Sequence, residues 1–321
     1  MKQEIIERIA AELWLEVEKF EKPAARIINK FVRDKRINSK KARAISDIIF
    51  TKLREMPLPE WYVAYLPADF TEELAALNEA APTDLRVNTL KLSREEGLQL
   101  LQEMGCEAEA TPLSKTGIRL AKKISLKKDG KFEVQDEGSQ LLAEFCGAQA
   151  GEKILDFCAG QGGKSLALAA LMENDGEIVA YDKFPERMTN FKKRANLAGA
   201  EIIKICDKLP DEEFDLVLVD SPCSGSGTWR RDPSRKFSLS EDELNSLVKT
   251  QQEILSQAAK YVKKGGRMIY ATCSLLPIEN IQQIEWFMSQ SEIFDLSGDL
   301  LELSPRKTNT DGFFAARLIK N

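Results

Sequence analysis

From about residue 150 onward, short apolar runs and amphipathic stretches take turns, and four of the runs end at an aspartate. Lys153–Phe157 reads KILDF, Glu177–Asp182 reads EIVAYD, Glu201–Cys206 is followed by Asp207, and Asp215–Asp220 reads DLVLVD. Helical patterns over 164–172, from Pro185, and over 241–262 separate or follow them. A fifth strand over Arg267–Ala271 and a helix over Ile278–Ser289 complete the series. This alternation implies an α/β fold, a Rossmann-like, doubly wound and mostly parallel sheet. Ligands of such sheets sit at the carboxyl ends of the strands. A single Asp there is as readily a helix cap. Four in order, Asp156, Asp182, Asp207 and Asp220, point to a nucleoside ligand.

The residues before 150 follow other patterns. Helical periodicity covers 4–20 and 23–36, and Ser39 reads as the N-cap of a helix through about Leu53. Two prolines in MPLPEW (56–61) close this unit. Between Lys22 and Arg54, eleven Lys or Arg face two Asp, a balance of +9 on a chain of net charge −5, so the remainder carries −14. A basic segment on an acidic protein suggests a polyanionic partner; charge alone fits a solvated helical face at least as well. Asp84–Lys91 alternates like a strand, Ser93–Met104 reads as a helix ending at Gly105, and 106–111 and 117–121 read as short strands. The expected units are therefore a basic helical one over 1–57, a small α+β one over 58–132, and the α/β one over 133–321.

Composition removes several kinds of chemistry. The chain has no histidine, which excludes Ser-His and Cys-His arrangements. None of its six cysteines forms a CxxC pair, so a structural zinc site is not expected, nor is a disulfide framework. Proton transfer falls to carboxylates, thiols, lysines or water. The first twenty residues carry five glutamates and match no secretory or transit signal. No stretch approaches the roughly 18 apolar residues of a membrane span. A cytoplasmic, metal-free monomer is the expectation.

The loop L-D-F-C-A-G-Q-G-G-K-S (155–165) joins a strand to a helix. A dinucleotide fingerprint would need its third glycine at Ser165, and a phosphate-binding P-loop its first at Cys158, so both fail. A methyltransferase loop fits best, with Cys158, Ala159, Gly160, Gln161, Gly162, Gly163 and Lys164 around the cofactor. Asp182 is then placed to accept from ribose hydroxyls, and Asp207 from an adenine amino group. Two cysteines follow the next strands: Cys223 in DSPC (220–223) and Cys273 in TCS (272–274). A lone cysteine is usually core, which suits Cys106 and Cys146 better than this pair.

A thiol has a purpose there. Carbon 5 of cytosine is a poor nucleophile, and a thiolate added to C6 makes the ring an enamine that can attack a methyl group. A protonated Asp220 near N3 would offset the charge that builds there. Lys164 could hold that carboxyl and lower a neighbouring thiol pKa.

These motifs together resemble the RNA cytosine-5 methyltransferases, the family that includes bacterial 16S ribosomal RNA enzymes of the RsmB type and the eukaryotic NOP2/Sun proteins. The resemblance runs from about Asp84 to the C-terminus, through DLRVNTLK (84–91), VQDEGSQL (134–141), DFCAGQGGKS (156–165), DSPCSGSGTWRRDP (220–233), YATCSLLPIEN (270–280) and DGFFAARL (311–318). It implies a class I S-adenosylmethionine methyltransferase domain, S-adenosylmethionine as cofactor, and an RNA substrate, 16S ribosomal or else transfer RNA. Cys273 resembles the family's nucleophile, Cys223 the residue that helps release product, and Cys158–Lys164, Asp182, Asp207 and Asp220 its cofactor contacts. The loop reads CAGQGGKS where relatives read more like CAAPGGKT. The basic helices over 22–54 resemble part of a NusB-like domain, over a shorter stretch, and the α+β unit is expected to bind RNA. An amino-methyltransferase would need an aromatic where DSPC has Cys223, and a DNA cytosine-5 enzyme would leave TCS without a purpose. A non-catalytic RNA-binding assembly or antitermination factor would be expected to have lost Cys273, Asp220 or Lys164; all three are present.

Overall fold

The computed structural model describes residues 2–122, 124 and 126–321. Three helices come first: α1 (Lys2–Val17), α2 (Ala24–Asp34) and α3 (Ser39–Glu55). Their apolar residues recur at helical spacing, and Leu13 and Val17, Ile27 and Ile28, and Ile45, Ile49 and Leu53 close into one core. The N-cap of α3 is Asn38 rather than Ser39. Its side chain accepts from Lys41 N at 3.0 Å, and Ser39 lies inside the first turn. Asn and Ser cap equally well, so the sequence did not separate two adjacent candidates.

α4 (Phe70–Leu77) leads into a second unit with β1 (Thr83–Val87), α5 (Arg94–Glu103), β2 (Ala108–Ala110), β3 (Gly117–Leu120) and β4 (Phe132–Val134). The four strands form an antiparallel sheet in the order β2-β3-β1-β4. Ser93 and Glu96 start α5 with a reciprocal capping box. Asn88, just after β1, donates to the Gly130 and Ala198 carbonyls at 2.8 and 2.7 Å, tying this unit to the next.

The third unit contains α6 (Glu137–Phe145), β5 (Lys153–Asp156), α7 (Gly163–Leu171), β6 (Glu177–Tyr181), α8 (Phe191–Ala198), β7 (Ile203–Cys206), β8 (Phe214–Asp220), α9 (Glu241–Ala258), β9 (Val262–Thr272), α10 (Ile281–Gln290), β10 (Phe294–Leu296), β11 (Leu301–Leu303), α11 (Pro305–Thr308) and β12 (Phe313–Lys320). The sheet order is β10-β12-β9-β8-β5-β6-β7, with β11 also on β12. The five strands from β9 to β7 are parallel, while β12 runs antiparallel to β9. Alternation along the strands sorts the side chains. Ile154, Leu216, Leu218 and Ile269 face one core with Leu166 and Phe191; Leu155, Val217, Val219 and Tyr270 face the other with Leu255 and Phe287. The strand order reverses between β5 and β8, which opens a crevice at their carboxyl ends.

Three expectations shift. The long helix ends at Ala258, not Val262, because Val262 already pairs with Phe214 as the first residue of β9. The pairing then jumps to Leu216 with Arg267, so Lys263–Gly266 bulges from the ladder with Gly265 at φ +76°. The helix expected at Pro185 begins as a 3-10 turn, Pro185–Met188, ahead of α8. No described helix is long and apolar enough to cross a membrane, and no group of three or more His, Cys, Asp or Glu that could hold a metal occurs among the described residues.

Candidate active site

At the crevice between β5 and β8 lies a cavity of about 440 Å³ lined by Asp156, Cys158, Lys164, Asp220, Cys223 and Cys273, with the loop residues Ala159, Gly160, Gln161 and Gly163. The loop's shape follows from its glycines. Gly162 caps α7 at φ +78°, and a Cβ there would come within 2.1 Å of the Phe191 ring. Gly160, at φ +51°, donates its N–H to Asp182 at 3.0 Å.

Asp182 and Asp207 do not line this cavity. Asp182 is buried behind Gly160, and it also accepts from Phe184 N at 3.0 Å and pairs with Arg187 at 3.2 Å. The Arg187 side chain lines the cavity in front of it. Asp207 is exposed just past β7. Asp156 is buried and accepts from Ser165 Oγ at 2.5 Å, while its other oxygen, Oδ1, has no partner among the described residues. Burial pushes this carboxyl up to about 7, the Ser165 hydrogen bond opposing and the charge of Asp220 adding to the rise. A buried acceptor at a cavity wall needs a donor, and the α-ammonium of S-adenosylmethionine fits it.

Lys164 Nζ donates to Asp220 Oδ2 at 2.9 Å. Burial works against the lysine's charge, but Asp220 outweighs it and holds the pKa above the ordinary lysine value.

Cys223 and Cys273 meet with their sulfurs 3.4 Å apart. The Cys223 thiol is pushed well above its usual range, first by its hydrogen bond to Cys273, then by burial and by the nearby charges of Cys273 and Glu279. The spacing of the pair is set by a residue the sequence reading passed over, Glu279. Fully buried, it accepts from Ser224 N at 2.8 Å, Ser224 Oγ at 2.5 Å, Ser274 Oγ at 2.5 Å and Gln251 Nε2 at 3.0 Å. One carboxylate therefore binds the residue after each cysteine. The only signal was its place six residues after Cys273, inside the motif already quoted. The other cysteines stay out of the pair: Cys146 is buried with its thiol raised to about 12 by burial, and Cys106 lies in the small α+β unit.

Four basic residues follow β8 within seven positions, Arg230, Arg231, Arg235 and Lys236, and they do not form one surface. Arg230 is buried and donates to Asp311 at 2.9 Å. Arg231 bonds the same Asp311 and, at 2.7 Å, Asp136. Lys236 is buried against Asn78, its pKa lowered to about 8 by burial and by Arg54. Arg235 alone is exposed and unpaired among the described residues, and it borders both the cavity and a larger cleft outside it.

A family model described as 16S rRNA methyltransferase RsmB/F matches residues 145–319, and one described as an RsmF/B-like ferredoxin-like domain matches residues 58–127. Ribosomal RNA small subunit methyltransferase B of Photorhabdus laumondii is 35% identical over 286 residues, covering 82% of this chain and 66% of that protein. A Bacillus subtilis protein named "Probable ribosomal RNA small subunit methyltransferase B" is 32% identical over 311 residues, covering 86% and 69%. The chain thus spans about two thirds of the length of these relatives. Among solved structures, a methyltransferase homolog protein from Pyrococcus horikoshii superposes with a TM-score of 0.74 at 25% identity, covering 85% of this chain and 98% of that one.

Proposed function

Because the chain belongs to the RsmB/F family of 16S rRNA methyltransferases, we propose that it methylates carbon 5 of a cytosine in 16S ribosomal RNA, with Cys273 as covalent nucleophile. S-adenosylmethionine, when bound, supplies the electrophilic methyl group. The loop Cys158–Lys164 would cradle it, Asp156 Oδ1 would accept from its ammonium, and Asp182 would receive the ribose once Arg187 moves aside. That arginine side chain is 47% exposed, so its ion pair holds it weakly. The basic helical unit and the α+β unit would flank the catalytic one as RNA-binding elements.

The observation that carries the reading is the sulfur pair at 3.4 Å on the wall of the cofactor cavity. Cys223, holding its proton, donates to Cys273 and stabilises it as a thiolate. Cys273 adds to C6; the displaced electron pair moves toward N3, where Asp220, held by Lys164, stabilises the developing negative-to-neutral ring by passing a proton. C5 then takes the methyl. With Cys273 bonded to C6, the largest cause of the raised Cys223 pKa is gone. Cys223 can then lose its proton to solvent water and accept the C5 proton; the S–C6 bond breaks, Cys273 leaves as thiolate, and N3 returns its proton to Asp220 as the ring is restored.

The test is to incubate the protein with isotopically labelled S-adenosylmethionine and either a 16S rRNA or a transfer RNA transcript, then to read the product base by nuclease digestion and mass spectrometry. Labelled 5-methylcytosine in the 16S transcript is expected. Label only in transfer RNA would move the substrate, label on another base would overturn the C5 chemistry, and RNA binding with no transfer would make the chain a binding factor.

A further inference from the structure

Outside the cysteine pair the surface opens into a cleft of about 880 Å³ that reaches Cys273. One wall is the loop after β8, with Arg231 and Arg235. The other is α2, about 200 residues away in sequence, with Arg26, Lys30 and Arg33. Their spacing of four and three residues puts all three on one face, about 10 Å end to end. All three are exposed. Arg26 and Lys30 have no ion pair among the described residues, and Arg33 has only a loose contact with its neighbour Asp34 at 3.5 Å. The one acidic residue lining the cleft, Asp232, is already engaged by Ser234 and Ala25.

We infer that this face of α2 is a phosphate-binding wall for the single-stranded RNA that flanks the target cytosine, and that the β8 loop holds the helix in register with the nucleophile. The helix has no side-chain cap of its own at Pro23. Instead, Ala24 N donates to Ser234 Oγ at 2.8 Å and Ala25 N to Asp232 Oδ2 at 3.1 Å. The catalytic unit thereby caps the N-terminal helix, satisfying two of its free backbone donors. Phe20 packs against Phe237 beside this joint, the ring centroids 4.8 Å apart and the planes tilted by 36°. The cationic row is therefore fixed against the loop that carries Arg235. A base reaching Cys273 must leave its helix or already be unpaired, so the strand entering beside it is single-stranded. Three other basic residues of the N-terminal unit, Lys40, Lys41 and Arg43 on α3, do not line the cleft.

The inference rests on the proposed RNA substrate, and its test reads binding without turnover, so a failure of cytosine methylation would not obscure it. Affinity for a single-stranded RNA 20-mer and for a 16S rRNA transcript would be measured against salt. The comparison is between the parent chain, the triple variant Arg26→Glu, Lys30→Glu, Arg33→Glu, and a control with Lys40, Lys41 and Arg43 all changed to Glu. A milder set with the three α2 cations changed to Gln, with unchanged melting, guards against misfolding. Each single-strand phosphate contact contributes about 0.7 to the slope of log affinity against log salt. The α2 variants should lose at least about tenfold in affinity and flatten the slope by about 2, while the α3 control stays close to parent. An unchanged slope in the α2 variants, or equal losses in both triples, overturns the inference.

Discussion

Arginines occur both in the loop after β8 and along α2, but the two regions use them differently. In the loop, Arg230 and Arg231 are bound to Asp311 and Asp136, and Lys236 is buried on Asn78. On α2, Arg26, Lys30 and Arg33 lie exposed along a cleft. The loop's cations hold the chain to itself, and only Arg235 is left without a partner among the described residues. Among the described residues the helix's cations hold nothing beyond the loose contact of Arg33 with Asp34. Charge counted along a sequence does not separate these uses; the partners do.

The largest effect that can break this contrast is on stability. Arg230→Ala should destabilise the fold by about 3 kcal/mol, because it strips a partner from the buried Asp311 and leaves it underpaired. Arg33→Ala, a surface change, should stay within about 0.5 kcal/mol. Urea titration of both variants checks it, and equal losses would erase the distinction.

Next is the carboxylate that joins the cysteine loops. Glu279→Ala leaves Ser224 N and the Gln251 amide short of an acceptor, a cost of about 1–3 kcal/mol. It should also slow turnover while S-adenosylmethionine affinity holds, since Glu279 touches the loops and not the cofactor cavity. Calorimetry beside single-turnover rates would show it; a matching loss of cofactor affinity would mean that the whole crevice had collapsed.

A smaller effect sharpens the cofactor side. With the Asp156 carboxyl raised to about 7, only its ionised form attracts the cofactor's ammonium. Affinity should rise by up to about tenfold per pH unit below 7 and level off above it. In the free protein the sign is opposite. A carboxyl whose folded pKa exceeds its unfolded value holds more protons when folded, so stability falls as pH rises from about 4 to about 7. Calorimetry and melting between pH 5 and 8.5 test both; affinity that stays flat across that range would remove Asp156 from the ammonium.

The parallel strands β5, β6, β7 and β8 were legible because buried strands read as apolar runs closed by Asp156, Asp182, Asp207 and Asp220. The two cysteines were legible because each follows a strand. The strands β10 to β12 were not foreseen: β10 and β11 are three residues long, and FFAARL carries no helix–strand alternation. Asp182 was correctly seen at a strand end, but its contacts with Gly160, Phe184 and Arg187 are tertiary and have no local pattern. Glu279 was hidden for the same reason, since its partners lie 5, 28 and 55 residues away. The burial of Arg230 and Lys236 has no local pattern either, because their partners, Asp311 and Asn78, are far along the chain.

The division of labour between the two sulfurs is tested most directly by trapping the covalent intermediate. With RNA and S-adenosylmethionine, Cys223→Ala should accumulate a protein–RNA band that survives SDS, because addition needs only Cys273 while release also needs a base for the C5 proton. Cys273→Ala should give no band and no methylation. A stable band from Cys273→Ala and none from Cys223→Ala would contradict the assignment.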